Sequence, residues 1–302
     1  MQRPSLFAGY AAALATVVIW AGFILVSRMG GKTALSSWDI VALRLGTASL
    51  ILLPLSLGIE RRHWLDLRLW TLALVGGLGF LVLVYAGFKY APAAHGAILV
   101  PGMQPFLVTV LAWAWIGSRP DRRRLWALLP IALGVACVAV PQFTGHTPHR
   151  SDTALGDALL LGASITWAAY SVLVKRWPRD PWLLTRFVAL GSTLVFMPVY
   201  VLWLPKHLGD VPTSMLVLQA LYQGIGPTIV AMVLFLKAVS ILGAERTGAL
   251  VALVPVMAGL GAVPLLGEPL TVWLVAGLLL VSGGALLSAR APGTPRPAGD
   301  RP

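Results

Sequence analysis

Carboxylates are scarce in this chain, whose 302 residues hold 11 aspartates and glutamates against 23 lysines and arginines. Charged residues of both signs make up 11%, where an ordinary soluble domain has about 25%. That deficit excludes a water-soluble globular protein, which needs ionic groups to cover its surface. Cysteine is rarer still. Cys137 stands alone inside an apolar run, which excludes an intrachain disulfide and a cysteine-based metal site. The five histidines form no HExxH pair, and the sequence has neither a glycine-rich phosphate loop after a strand nor a nucleophile with a histidine and an acid at shared depth. An enzyme is therefore not expected, and neither is a cofactor or a metal.

Hydrocarbon is what the chain has instead. Hydrophobic residues reach 58% and the mean hydropathy is +0.82, with apolar runs of about 20 residues following one another. The net charge of +12 would suit nucleic acid if it formed a stripe on a foldable soluble segment. It sits in clusters between apolar runs, such as "RPDRRR" from Arg119 to Arg124, which is how cytoplasmic loops look. No nucleic acid is expected as a partner. The lipid bilayer is.

Ten spans are read at roughly 7 to 29, 39 to 57, 69 to 90, 95 to 116, 124 to 140, 155 to 177, 183 to 204, 217 to 238, 246 to 266 and 272 to 289. All should be helices, because an unpaired strand leaves backbone groups unsatisfied in lipid and no alternating barrel pattern is present. The expected fold is an all-α integral membrane bundle of ten transmembrane helices. The first run is too long for a cleaved signal peptide despite "AAALA" at 11 to 15. The end, "APGTPRPAGDRP" at 291–302, reads as a disordered cytoplasmic tail.

Orientation follows from the basic residues. With ten spans both termini share a side, and that side collects Arg3, Arg61, Arg62, Arg68, Arg119, Arg122, Arg123, Arg124, Lys175, Arg176, Arg179, Arg246, Arg290, Arg296 and Arg301. The other side holds Arg28, Lys32, Lys89, Arg150 and Lys206. The asymmetry places both termini in the cytoplasm.

The chain also repeats itself. Shifted by 150 residues, the segment from Ala94 to Gly134 lies over that from Ala244 to Gly284, matching Pro105 with Pro255, Gly117 with Gly267 and Gly134 with Gly284, and Ser118 with Glu268. Earlier in each half "WAGFILVSR" (Trp20 to Arg28) matches "WAAYSVLVK" (Trp167 to Lys175), and Arg44 stands where Arg186 stands. The expected units are residues 1–145 and 146–290, five spans each. An odd number of spans makes the second copy inverted, an arrangement common among secondary transporters.

The tryptophan motif of spans one and six, the arginine of spans two and seven, the mid-span prolines and the ending "LLGEPLTVWLVAGLLLVSGGALL" together resemble the EamA branch of the drug/metabolite transporter superfamily. The likeness covers about residues 8 to 290. It implies a ten-helix exporter or importer in the bacterial inner membrane with a small-molecule substrate, which in this family ranges over amino acids, sugars, nucleotide derivatives and toxic compounds. Ser118, where the second copy has Glu268, departs from the family pattern. Export of neutral or aromatic amino acids is the favoured expectation. A lipid-linked substrate flippase and a non-transporting assembly partner are the alternatives.

Candidate site residues are weighed against plainer roles. Glu268 precedes Pro269 and the tenth span, so it reads as a helix cap more readily than as a proton-coupling carboxylate. Asp39, Asp157, Asp180, Asp210 and Glu245 all lie at helix ends or in loops. With no acid at mid-span, lipophilic cations are a poor first guess as cargo. Trp20, Trp167 and Tyr170 are candidates to stack on a substrate, or else fill space between helices. Arg44 either meets a substrate carboxylate or snorkels. Gln104, Tyr85, Tyr222 and Gln223 are further polar candidates, and His95 either gates the outer end or sits there as an interfacial histidine. Pro105, Pro255 and Pro227 should break their helices near the midplane, where freed carbonyls need protein or water beside them.

Overall fold

The computed structural model describes residues 5–143 and 150–289. The 145/146 junction of the two copies and the tail 291–302 lie outside them. The helices are α1 (Leu6–Gly31), α2 (Ser37–Ser56), α3 (Leu67–Tyr90), α4 (Ala93–Ile116), α5 (Arg122–Phe143), α6 (Arg150–Arg176), α7 (Pro181–Trp203), α8 (Thr213–Leu242), α9 (Glu245–Leu266) and α10 (Val272–Ala289). Nine are long and apolar enough to cross a bilayer, and α5 carries a shorter apolar stretch, Arg124–Val138. Among the described residues there is no strand.

Local chemistry sets the helix ends. Ser36 and Asp39 form a reciprocal capping box at the start of α2. Asp180 accepts the Leu183 N–H at 2.7 Å, and Pro181, whose missing N–H costs nothing there, opens α7. The ends of α4 and α9 are made alike: Gly117 (φ 67°) and Gly267 (φ 66°) take the left-handed conformation that turns each chain out of its helix. The two glycines are equivalent under the 150-residue repeat. α6 starts at Arg150, earlier than the expected 155, with Asp152 in its first turn favouring the helix dipole. Asp157 therefore lies about two turns inside the helix.

Four helices are interrupted at mid-span. α3 widens to i→i+5 bonding over Ala73–Gly79, α4 over Ile98–Gly102, and α8 over Gln219–Gln223 and Gly226–Val230. α9 breaks at Ala252 and Leu253. Pro105 and Pro255 each stand in the first turn of the resumed helix, and Pro227 opens the second widened segment of α8. Such widened turns often accompany functional sites. Gly76 explains part of the geometry, since a Cβ there would overlap the Tyr170 ring.

The principal packings obey the repeat. α3 lies on α6 as α8 lies on α1, α4 on α6 as α9 on α1, and the self-equivalent pairs α2–α7 and α5–α10 join one helix of each copy. A duplicated, inverted chain that packs copy against copy has its natural concave site where the copies meet.

Candidate functional site

A cleft lies there, between α2, α3, α6, α7 and α8. Arg44, Leu45 and Ala48 form one wall, Gly76, Gly77, Phe80 and Leu81 a second, and Trp167 with Tyr170 a third. Thr185, Val188, Ala189, Pro227, Thr228 and Met232 complete it. The glycines and Pro227 are the interrupted turns of α3 and α8, so the helix breaks shape the walls. Phe80 packs on Trp167 at 5.0 Å between ring centroids, and Trp167 on Tyr170 at 5.2 Å. The lining contains one guanidinium and no carboxylate.

Arg44 is held rather than dangling. Its Nη1 donates to Tyr85 Oη at 3.1 Å, and its guanidinium carbon lies 5.1 Å from the Phe23 ring centroid. Seven residues into α2, it sits roughly 10 Å from that end of the helix. A charge kept so deep by a tyrosine and an aromatic face, with no acid in the lining, suits an anionic group of a ligand.

The two ends of the bundle differ. Thr185, one turn from the start of α7, carries the cleft close to the end that bears the first residues of α1 and the last of α10. The opposite end is tied shut. Glu268, 9% exposed, accepts the N–H groups of Ala93 and Ala94 at 2.9 and 3.4 Å and pairs with Arg28 at 3.4 Å. Arg28 Nη1 also donates to the carbonyls of Phe88 and Lys89, Lys32 Nζ to that of Leu266, and Lys89 Nζ to that of Leu35. Nearby, Asp39, fully buried, takes the Tyr200 hydroxyl at 2.6 Å and the His207 N–H at 3.2 Å, joining α2 to α7 and its following loop. The start of α4 packs extensively on the end of α9, and the equivalent packing of the start of α9 on the end of α4 is not of like extent among the described residues.

Glu268 does cap a helix, but not the one expected. The tenth helix is capped by Thr271, whose Oγ1 accepts the Leu274 N–H at 3.1 Å. Glu268 caps α4, because the left-handed turn at Gly267 aims its side chain across the copy boundary.

Arg44, Trp167, Tyr170 and Pro227 are brought together on the cleft, and Tyr85 is fully buried behind Arg44. Trp20 is elsewhere: α1 forms no wall, and its indole packs on Phe235 at 5.4 Å. Gln104 donates to Ser164 Oγ at 2.9 Å, tying α4 to α6. Tyr222 donates to the Ile19 carbonyl and Gln223 Nε2 to Ser27 Oγ, both joining α8 to α1. His95 Nδ1 lies 2.9 Å from Asp157, linking α4 to α6 at the closed end. Phe80, Thr185 and Thr228 were not anticipated, since an apolar aromatic and two hydroxyls carry no signal outside their fold.

At the end that bears the first residues of α1, Asp66 pairs with Arg179 at 2.7 Å, Arg186 Nη1 donates to the Leu55 carbonyl, and Trp64 and Trp70 pack on the buried Phe187. Burial pushes the Asp66 carboxyl up, but the Arg68 N–H and the Arg179 and Arg68 charges outweigh that and hold it below the usual carboxylate value.

Residues 7–140 and 154–290 each match the EamA-like transporter family. The chain is 26% identical over 238 residues to the "uncharacterized transporter YvbV" of Bacillus subtilis (strain 168), covering 76% of this chain and 75% of that one. It is 26% identical over 298 residues, 94% of each, to a "probable terminal-alkyne amino-acid exporter" of Streptantibioticus cattleyicolor. Among solved structures, one crystal structure superposes with a TM-score of 0.62 at 17% identity, covering 94% of this chain and 98% of that one.

Proposed function

Because this multi-pass membrane protein belongs to the EamA-like transporter family, we propose that it is a secondary transporter exporting neutral or aromatic amino acids across the bacterial inner membrane. The observation that carries the reading is the single guanidinium in a cleft without carboxylates. A cation entering it would lose hydration with no acid to replace it, at a cost of several kcal/mol even after relaxation. A zwitterion presents its carboxylate to Arg44. Its ammonium has the hydroxyls of Thr185 and Thr228 and the carbonyls freed at the widened turns as acceptors. Its side chain stacks on Phe80, Trp167 and Tyr170. The relative named as a probable amino-acid exporter points the same way.

Alternating access follows from the inverted repeat in this reading. The units 1–145 and 146–290 rock about the cleft, and the end bearing the termini is cytoplasmic. In a Cys137→Ser background, Arg119→Cys should be shielded from an impermeant thiol reagent in intact cells and Lys206→Cys should react. The converse labelling would reverse the orientation. Function is tested by counterflow in proteoliposomes loaded with amino acids, sugars, nucleosides or lipophilic cations, with and without a pH gradient. Exchange of neutral and aromatic amino acids is expected. Exchange confined to the cations would refute the substrate class, and no exchange of any solute would refute transport.

A further inference from the structure

A second pocket lies between α4, α5 and α6, toward the end that bears the first residues of α1. Arg124 and Lys175 line it together with the hydroxyl-bearing Thr109, Ser118 and Ser171. Arg124 Nε donates to Thr109 Oγ1 at 2.9 Å, which fixes the guanidinium on the pocket wall. Asp121, just before α5, is exposed and caps that helix by accepting the Arg124 N–H at 2.7 Å.

The repeat shows what this pocket lacks. Ser118 is the equivalent of Glu268 and Lys175 the equivalent of Arg28. At the closed end that pair is complete, carboxylate with guanidinium, and buried. At this end the carboxylate has become a serine, and a second cation, Arg124, stands where the other copy has Leu274. One anion has been removed and one cation added, and space is left between them.

We propose that this pocket binds a phosphate group from outside the chain, that of an anionic phospholipid. The N–H groups of Arg124 and Lys175 are suitable donors for phosphate oxygens, the Thr109 and Ser171 hydroxyls being donated to the Pro105 and Trp167 carbonyls, and basic pockets between transmembrane helices are known to take anionic headgroups. The surroundings favour a lipid over a free ion. Trp113, Trp115 and Trp126, near the same ends of α4 and α5, are 55%, 45% and 70% exposed, and their rings offer interfacial contacts to the chains of a bound lipid. The site is independent of what the central cleft carries.

The test uses the purified full-length protein in neutral detergent, titrated with phosphatidylglycerol, phosphatidylcholine or inorganic phosphate, with thermal unfolding and native mass spectrometry as readouts. Phosphatidylglycerol should stabilise the wild type and remain bound in the gas phase, and phosphatidylcholine should do neither. Lys175→Gln, at an exposed position, should weaken that binding about fivefold, the effect of removing one cation near a phosphate. Ser118→Glu, which restores the carboxylate of the other copy, should abolish it while the protein stays folded. Equal response to both lipids, or phosphatidylglycerol binding unchanged in Lys175→Gln, would overturn the site. Inorganic phosphate matching phosphatidylglycerol at equal concentration would overturn the lipid assignment. If Ser118→Glu does not fold, Lys175→Gln decides alone.

Discussion

The two ends of this bundle are built from the same repeated parts and held by different forces. At one end Glu268, Arg28 and the first N–H groups of α4 make a buried ionic staple between the copies, with Asp39 and Tyr200 beside it. At the other, Ser118 and Lys175 occupy the equivalent positions, and the ties nearby are the part-exposed Asp66–Arg179 pair, a bond from Arg186 to a carbonyl and the packing of Trp64 and Trp70 on the buried Phe187. The equivalent positions differ in residue type, Glu268 against Ser118, Arg28 against Lys175 and Leu274 against Arg124.

The largest expected effect comes from breaking the staple. Glu268→Ala leaves Arg28 buried without its anion and two N–H groups without an acceptor, a loss of about 3 to 5 kcal/mol for a buried pair broken on one side. Thermal unfolding in detergent should show it directly. Glu268→Gln keeps one acceptor oxygen for Ala93, so its loss should be smaller, and the pH dependence of transport should not change. A stable Gln variant that no longer responds to a proton gradient would make Glu268 a coupling residue instead.

Arg44 comes next. Arg44→Gln removes the one charge in the cleft and should lower amino-acid counterflow by about tenfold to a hundredfold, the equivalent of 1.5 to 3 kcal/mol for a charged hydrogen bond. Arg44→Lys should recover little, because a point charge does not reproduce the planar fork. Rates equal to the wild type in either variant would remove Arg44 from the substrate site.

The two repeat tryptophans give a finer contrast. Trp167→Ala should slow transport by several-fold to about tenfold, the loss of one stacking partner, and Trp20→Ala should cost stability more than rate, because its indole meets Phe235 outside the cleft. Equal effects on transport would mean that the cleft reaches α1 in another state.

The smallest effect belongs to the Asp66–Arg179 pair. The folded Asp66 carboxyl lies below its ordinary value, so the pair contributes stability above the unfolded carboxylate value, near 4, and loses it as pH falls through the folded one. Asp66→Asn should cost less than about 1 kcal/mol at neutral pH, as exposed pairs do. It should also flatten the acid limb of the unfolding profile slightly.

Most of the scaffold was readable in the residues, because bilayer thickness and backbone satisfaction leave few choices for an apolar run. The mid-span prolines marked the interruptions of α4, α8 and α9 for the same reason. The break in α3 has no proline and lies where Gly76 packs under Tyr170 and Gly77 against Ser192 and Val188, a tertiary setting. The partner of Glu268 lies 175 residues away, so a local reading assigned it to the adjacent helix. Trp20 and Trp167 are equivalent in the repeat and not in surroundings, since Trp167 lines the cleft and the Trp20 indole meets Phe235. Arg44 was legible as a deep charge. Its dependence on Tyr85 was not.

The measurement closest to the central claim compares one amino acid with its decarboxylated amine. In proteoliposomes carrying the wild-type protein, counterflow of phenylalanine should be robust, and phenethylamine, which keeps the ring and the ammonium but has no carboxylate for Arg44, should exchange at background rates. Phenethylamine moving as fast as phenylalanine would contradict a cleft that selects its substrate through a single guanidinium.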